Sequence, residues 1–466
     1  MIYKRDGLLL PESKQKQIDC EMFADYETAR QGALETYQDL TPTDEQKKIA
    51  IKSWPLGKNA DLSANPDNIE SYIDRKARLL AYKKTFIEDS ELNSDVKKLY
   101  RWKTNEDLAN LNMLIASASG DRHAFRHWNE FIYGKPHEDI YKAALDWIAY
   151  DAEKLVESTS RHPNTISAAN EVLKLLKNKR GDRSHLMPDE ETFERVRVDH
   201  VRPMGYYGLL LAGANIPVGK ITNAEGDQIL SYIIKNNLQC DYDIKDASGD
   251  SWGVSHSKKA IERPKAYNLP VERFIGLGAG HEIGSHLLEK ENGMRGPLEL
   301  ASVGLDRYEA GNEGRAVIRE EVAYETFDEF GKLVRWRDIL RRHVAISYAS
   351  GIGESSSRSS AEVYAFMNAI DTMYQSKLTP EEPEITEEKA AKKTSSLLLR
   401  VLKGTDGKGG AYLKDKVYLE GLVASWFTAK KKGATAISEG DLGKFDINNP
   451  RHINALQDLG LLPRNE

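Results

Sequence analysis

Cysteine is nearly absent: Cys20 and Cys240 are the two in 466 residues. That excludes a disulfide framework and a cysteine-built zinc site. Both read as buried or inert thiols in a reducing, cytoplasmic setting. Long apolar runs are missing as well. The opening MIYKRDGLLLPESKQKQ offers three consecutive leucines, too few for the core of a signal peptide. No stretch approaches the roughly 18 apolar residues of a membrane span, so no membrane partner is expected. Charge of one sign is not in excess. Lys and Arg number 66 against 72 Asp and Glu, a net of -6, which does not point to nucleic acid. An anionic substrate would have to be met by a local cluster of cations.

Charged residues at 30% and hydrophobic residues at 40% fit a folded globular chain long enough for a large core. Residues 1–60 are polar and irregular in pattern. From NPDNIESYIDRKARLLAYKKTFIED to YKAALDWIAYDAEKLVES, apolar residues recur at three- and four-residue steps. This predicts a run of amphipathic helices, broken by a turn at YGKP, residues 133–136. Thr222 and Glu225 form a capping box ahead of another helix. The stretch from Cys240 to Pro270 alternates instead, and predicts strands at 239–245, 251–257 and 259–263. A helix should start near Pro270 and stop at Gly293. Residues 300–375 read as mostly helical, TPEEPEITEEKAAKK (379–393) as an exposed linker or helix start, and KGTDGKGG (403–410) as a loop. The expectation is a predominantly helical α+β fold with a small sheet beside the helix of residues 274–290. Its N-terminal helical region spans 1–150 and its catalytic domain 151–466.

That helix, FIGLGAGHEIGSHLLEK, carries the chemistry. His281 and His286 are five apart, whereas zinc-protease helices space the pair by four. At about 100° per residue, five steps leave them roughly 140° apart on a regular helix. A π-bulge absorbs one residue and restores a common face, and Gly284 lowers the cost of that distortion. Glu282 sits where the four-spaced motif has its general base. Taken alone, the pair fits equally a helix with one buried and one exposed histidine. A catalytic zinc needs a third ligand. YEAGNEGRAVIREEVAYE supplies Glu309, Glu313, Glu320, Glu321 and Glu325. Most should be solvated helix-face charges. Glu313 stands out because it falls at an expected helix start, where the dipole favours a carboxylate.

HEIGSHLLEKENG followed by NEGRA resembles the tyrosine carboxypeptidase family of zinc metallopeptidases, whose animal members are the microtubule-associated tyrosine carboxypeptidases and whose bacterial members carry QEGLA. YGKP, LLLRVLKG (397–404) and AYLKDKVYLEGL (411–422) are similar to further stretches of that family, over roughly residues 130–425. The resemblance implies a zinc-metallopeptidase-like catalytic domain. Its implied zinc ligands are His281, His286 and Glu313, with Glu282 as base. It also implies hydrolysis of the C-terminal peptide bond of a peptide or protein, with an aromatic last residue preferred. Asn312 and Arg315 depart from QEGLA, and Lys403 stands where the family tends to have Arg. Arg315 could orient Glu313, face solvent or meet substrate. For the oxyanion the candidate donor is Tyr418; for the terminal carboxylate the candidates are Arg400, Lys403 and Lys414. His256, in SWGVSHS, reads as a surface or packing histidine. Two other readings remain open: a non-catalytic zinc-binding regulatory module and a zinc endopeptidase.

Overall fold

The computed structural model describes residues 16–464 except 31–35, 89–90, 92, 159–161, 203–204, 248, 250, 324–333 and 380. Glu325 lies outside the described residues, as do the side chains at 334 and 335. The architecture is predominantly helical α+β, with two small sheets.

Helices fill the N-terminal part. Residues 1–60, expected to be irregular, contain helices Cys20–Arg30 and Asp44–Ser53. The second is set by a capping box between Thr43 and Gln46, a local hydrogen-bond signal stronger than the weak apolar periodicity there. Ser94–Ala118 and Glu138–Glu157 form the long helices that the periodicity predicts. YGKP is a turn, with Gly134 at φ 73°. The larger apolar core draws on residues from Met22 to Leu462. The N-terminal helices are tied to the segment that follows the histidine helix. Asp19 accepts the backbone N–H groups of Glu299 and Leu300, and Glu106 accepts that of Arg307 at 2.7 Å.

The strands are shorter than the alternation predicts. β1 is Lys220–Thr222, β2 Asp243–Asp246, β3 Gly253–Ser255, β4 Ala260–Arg263 and β5 Asn268–Pro270. β2 runs parallel and β3 antiparallel to the central β4, with Ile244 and Val254 both opposite Ile261. β1 pairs with β5, a second sheet that the alternation did not reveal, because three-residue strands are too short to show a period. The Thr222–Glu225 capping box starts helix Asn223–Tyr232, as expected.

Pro270 ends β5 and caps the next helix rather than opening its first turn. That helix runs without a break through Val271–Phe274, a π-helical stretch Ile275–Leu287 and an α-helical stretch Leu288–Arg295. Its stop is Gly296, not Gly293. Gly293 is internal and buried, because the backbone of Ser302 packs against it and leaves no space for a Cβ. Glu309–Val322 packs against this helix, and Lys416–Lys432 packs in turn against Glu309–Val322. Gly314 and Gly421 bring them together: a Cβ at Gly314 would strike Gly421, and one at Gly421 would strike the carbonyl of Ala310. TPEEPEITEEKAAKK resolves as a helix start, Pro383–Val401 with proline in the first turn.

Candidate metal centre

The π-helical stretch spans 13 residues, far more than the single bulge that the spacing requires. In a π-helix each N–H reaches the carbonyl five residues back. Residues five apart are therefore successive along one face. His281 and His286 meet that condition, and their rings lie 5.0 Å apart, nearly perpendicular.

Glycine makes this helix possible. Gly276, Gly280 and Gly284 recur every fourth residue. A Cβ at Gly276 would meet the backbone of Glu320, one at Gly280 the Tyr207 hydroxyl, and one at Gly284 the Tyr206 hydroxyl. Carbonyls of the wide helix take side-chain donors. Gly280 accepts from Tyr206 Oη (2.9 Å) and Ser285 Oγ (3.0 Å), and Gly284 accepts from Arg319 Nη1 (3.1 Å).

The third carboxylate comes from helix Glu309–Val322. Glu313 Oε2 stands 3.7 Å from His281 Nε2 and 3.6 Å from His286 Nε2. One donor atom from each of the three side chains lies within 4.8 Å of the others. Ligands about 2.1 Å from a tetrahedral ion are separated by about 3.4 Å. The two nitrogen–oxygen separations fit such an ion. Glu313 is not at a helix start, contrary to the sequence expectation: the helix begins one turn earlier, at Glu309. Its aim comes from the close packing at Gly314, not from the helix dipole.

Burial lowers the His286 imidazole, but the charges of Glu313, Glu282 and Glu289 outweigh it and hold the pKa up at about 9. This negative surplus is what a bound cation would balance. Glu282 is 5% exposed and close enough for its charge to act on His286.

Of the acidic residues in YEAGNEGRAVIREEVAYE, the expectation of solvated helix-face charges fails for two. Glu320 and Glu321 are buried. Glu320 Oε2 sits 3.3 Å from His281 Nδ1, on the far side of the ring from Glu313. Glu320 follows Glu313 by seven residues, two turns along one helix face, and that spacing was the available signal. Glu309 pairs with Lys414 at 2.9 Å.

Asn312 and Arg315 point away from the converging donors. Arg315 is fully buried. It donates to Glu289 Oε1 (2.7 Å) and Asp441 Oδ1 (3.3 Å), and Asp441 also binds Arg319. Asn312 donates to the other oxygen of Glu289. Glu289 lies three residues past His286, so this ion network clamps the histidine helix to the glutamate helix from behind. Of the three roles considered for Arg315, neither solvent exposure nor substrate contact fits its burial.

Residues 272–466 match the family model described as microtubule-associated tyrosine carboxypeptidase. The matched segment, less than half of the chain, is similar to that family. The match begins at the histidine helix and takes in Glu313 and the Lys416–Lys432 helix; YGKP lies outside it. The matched family is described as one of carboxypeptidases. Comparison with curated proteins gave no match, and neither did comparison with solved structures.

The remaining sequence candidates form a group of their own. Arg400 is held by Asp415 through both Nε and Nη2, the latter at 3.0 Å. Lys403 Nζ lies 3.2 Å from the centre of the Tyr37 ring, and burial pushes its pKa down to about 7. Arg342 stacks over the half-buried Tyr418 ring, and the charges of Lys414 and Arg400 feel that phenol. The group reaches helix Glu309–Val322 through Lys414 and Glu309, one turn before Glu313. Arg400 and Lys414 are already neutralised by carboxylates.

His256 is half-buried and is the packing histidine of the two expected readings. Its Nδ1 meets Tyr242 Oη at 3.1 Å and its Nε2 meets Lys444 Nζ at 2.9 Å. Among the described residues, no helix is long and apolar enough to cross a membrane.

Proposed function

We propose that the protein is a zinc-dependent carboxypeptidase that removes the last residue of a peptide or protein, with an aromatic residue preferred. The observation that carries this reading is the convergence of His281, His286 and Glu313 on one point, with Glu282 beside them, inside the segment that matches a carboxypeptidase family. His281, His286 and Glu313 would hold the ion. Zinc held there supplies Lewis acidity toward the scissile carbonyl and lowers the pKa of a water molecule. Glu282 takes the proton of the attacking water and passes it to the leaving amine. Glu320 Oε2, 3.3 Å from His281 Nδ1, favours the tautomer with the proton on Nδ1, which leaves Nε2 free as a donor atom. Tyr418 remains a candidate oxyanion donor, placed beside Lys414 on the segment that packs against the glutamate helix.

The test is direct. The purified protein is assayed for bound metal and incubated with peptides ending in Tyr, Phe, Leu or Glu, as free acids and as amides. Loss of a single C-terminal residue from free acids, abolished by Glu282→Gln, supports the reading. Stoichiometric zinc without cleavage supports a regulatory module instead, and internal cleavage of amides supports an endopeptidase.

A further inference from the structure

A carboxypeptidase needs a cation for the substrate's terminal carboxylate, and the two most strongly charged sequence candidates are occupied by protein carboxylates. A different pair of lysines lacks such partners. Lys444 is 7% exposed, and its ammonium has one hydrogen-bond partner among the described residues, His256 Nε2. Lys290 follows His286 by one helical turn, and Ser302 Oγ is its nearest polar partner, at 3.4 Å. Neither forms an ion pair among the described residues. Burial lowers Lys444 to about 8, helped by the charges of Lys290 and Arg30 and only partly opposed by Glu289 and Glu313; burial and Arg30 also lower Lys290, against the opposing charges of Glu27, Glu291 and Glu299. Arg30 is already engaged by Glu27 at 2.9 Å. The charge of Glu313 is felt at Lys444, and that of His286 at His256. Buried Lys444 and half-buried Lys290 therefore lie near the converging donors: Lys290 is one turn past His286, and β3, which leads into His256 beside Lys444, packs against the histidine helix.

Buried charge without a counter-ion is costly and is normally offset by pairing. The arrangement is ready for an anion. The backbone holds Lys444 in place: its N–H donates to Ala301 (2.7 Å) and its carbonyl accepts from Leu305 (2.9 Å). His256 Nε2 accepts from the lysine, so the imidazole proton sits on Nδ1, directed at Tyr242 Oη.

We propose that Lys444, positioned by His256 and flanked by Lys290, receives the terminal carboxylate of the substrate. The assignment rests on the carboxypeptidase reading but has a test independent of turnover. Binding of N-acetyltyrosine and of its amide to the zinc-loaded protein is measured by calorimetry. The wild type should prefer the acid, and Lys444→Met should lose roughly 10- to 100-fold of acid affinity, with metal content and Tm retained. In peptide assays the same variant should raise KM for free acids far more than it lowers kcat. His256→Gln, whose amide oxygen still accepts from Lys444, should keep the preference, and His256→Leu should lose it. An acid-to-amide ratio unchanged in Lys444→Met overturns the proposal. If Lys444→Met does not fold, equal ratios in the two His256 variants overturn it. A wild type that prefers the acid yet cleaves no peptide supports the anion seat and sinks the hydrolytic reading alone.

Discussion

Glu320 and Arg315 carry the sharpest predictions at the level of single residues. Glu320 touches His281 on the nitrogen facing away from Glu313. Glu320→Ala should weaken zinc binding about 10- to 100-fold, as removal of such outer partners does, read by competition with a chelator. Glu282→Gln should retain zinc while kcat falls by about 10²- to 10⁴-fold, the usual weight of a general base. Arg315→Leu would restore the family's residue at that position. Here it strands Glu289, whose oxygens are held by Arg315 and Asn312 in a fully buried site. Urea denaturation should show a loss of about 3–5 kcal/mol, the cost of leaving one member of a buried ion pair alone.

At the scale of the element, the histidine helix depends on close approach. Gly284→Ala puts a methyl group onto the Tyr206 hydroxyl. Over-packing of this kind costs about 1–3 kcal/mol, and in this helix it should also separate the two imidazoles. The double variant Gly284→Ala/Tyr206→Phe removes the clashing oxygen and should recover part of both stability and zinc affinity. Additive losses in that cycle would refute the steric account. The histidine spacing and Gly284 made a widened turn legible in the sequence. A π-helix of 13 residues was not legible, because its cause is spread over Tyr206, Tyr207 and Arg319, distant residues that fill the glycine notches and bind the displaced carbonyls.

For the whole molecule, the consequence is acid lability. Burial and the charge of Arg319 pull His200 down to about 3, so the folded state keeps it neutral while the unfolded chain takes up a proton below about 6.5. Its contribution is therefore complete above pH 6.5 and is lost as pH falls toward 3. Burial alone would raise Glu420, but His343 and Lys416 outweigh it and hold it at about 2. That contribution is present above pH 4.5 and lost as pH falls toward 2. Both act in one direction, so unfolding free energy should drop steadily from pH 6.5 to 3, by up to about 1.4 kcal/mol per pH unit for each group. His200→Phe should flatten the upper part of that slope in denaturant titrations at fixed pH values.

Local order was written in the sequence wherever the cause is local. The amphipathic run from residue 69 to 157, the Thr222–Glu225 cap, the turn at Gly134 and the near-coincidence of His281 and His286 all follow from spacing, since neighbouring residues set them. What only the tertiary structure decided is which charges face each other. Arg400 meets Asp415, Lys414 meets Glu309, Arg315 meets Glu289, and Lys444 meets no carboxylate among the described residues. Sequence shows that cations are present. Whether a cation is neutralised or left for a ligand depends on segments up to hundreds of residues apart, and on the desolvation that packing imposes on both partners.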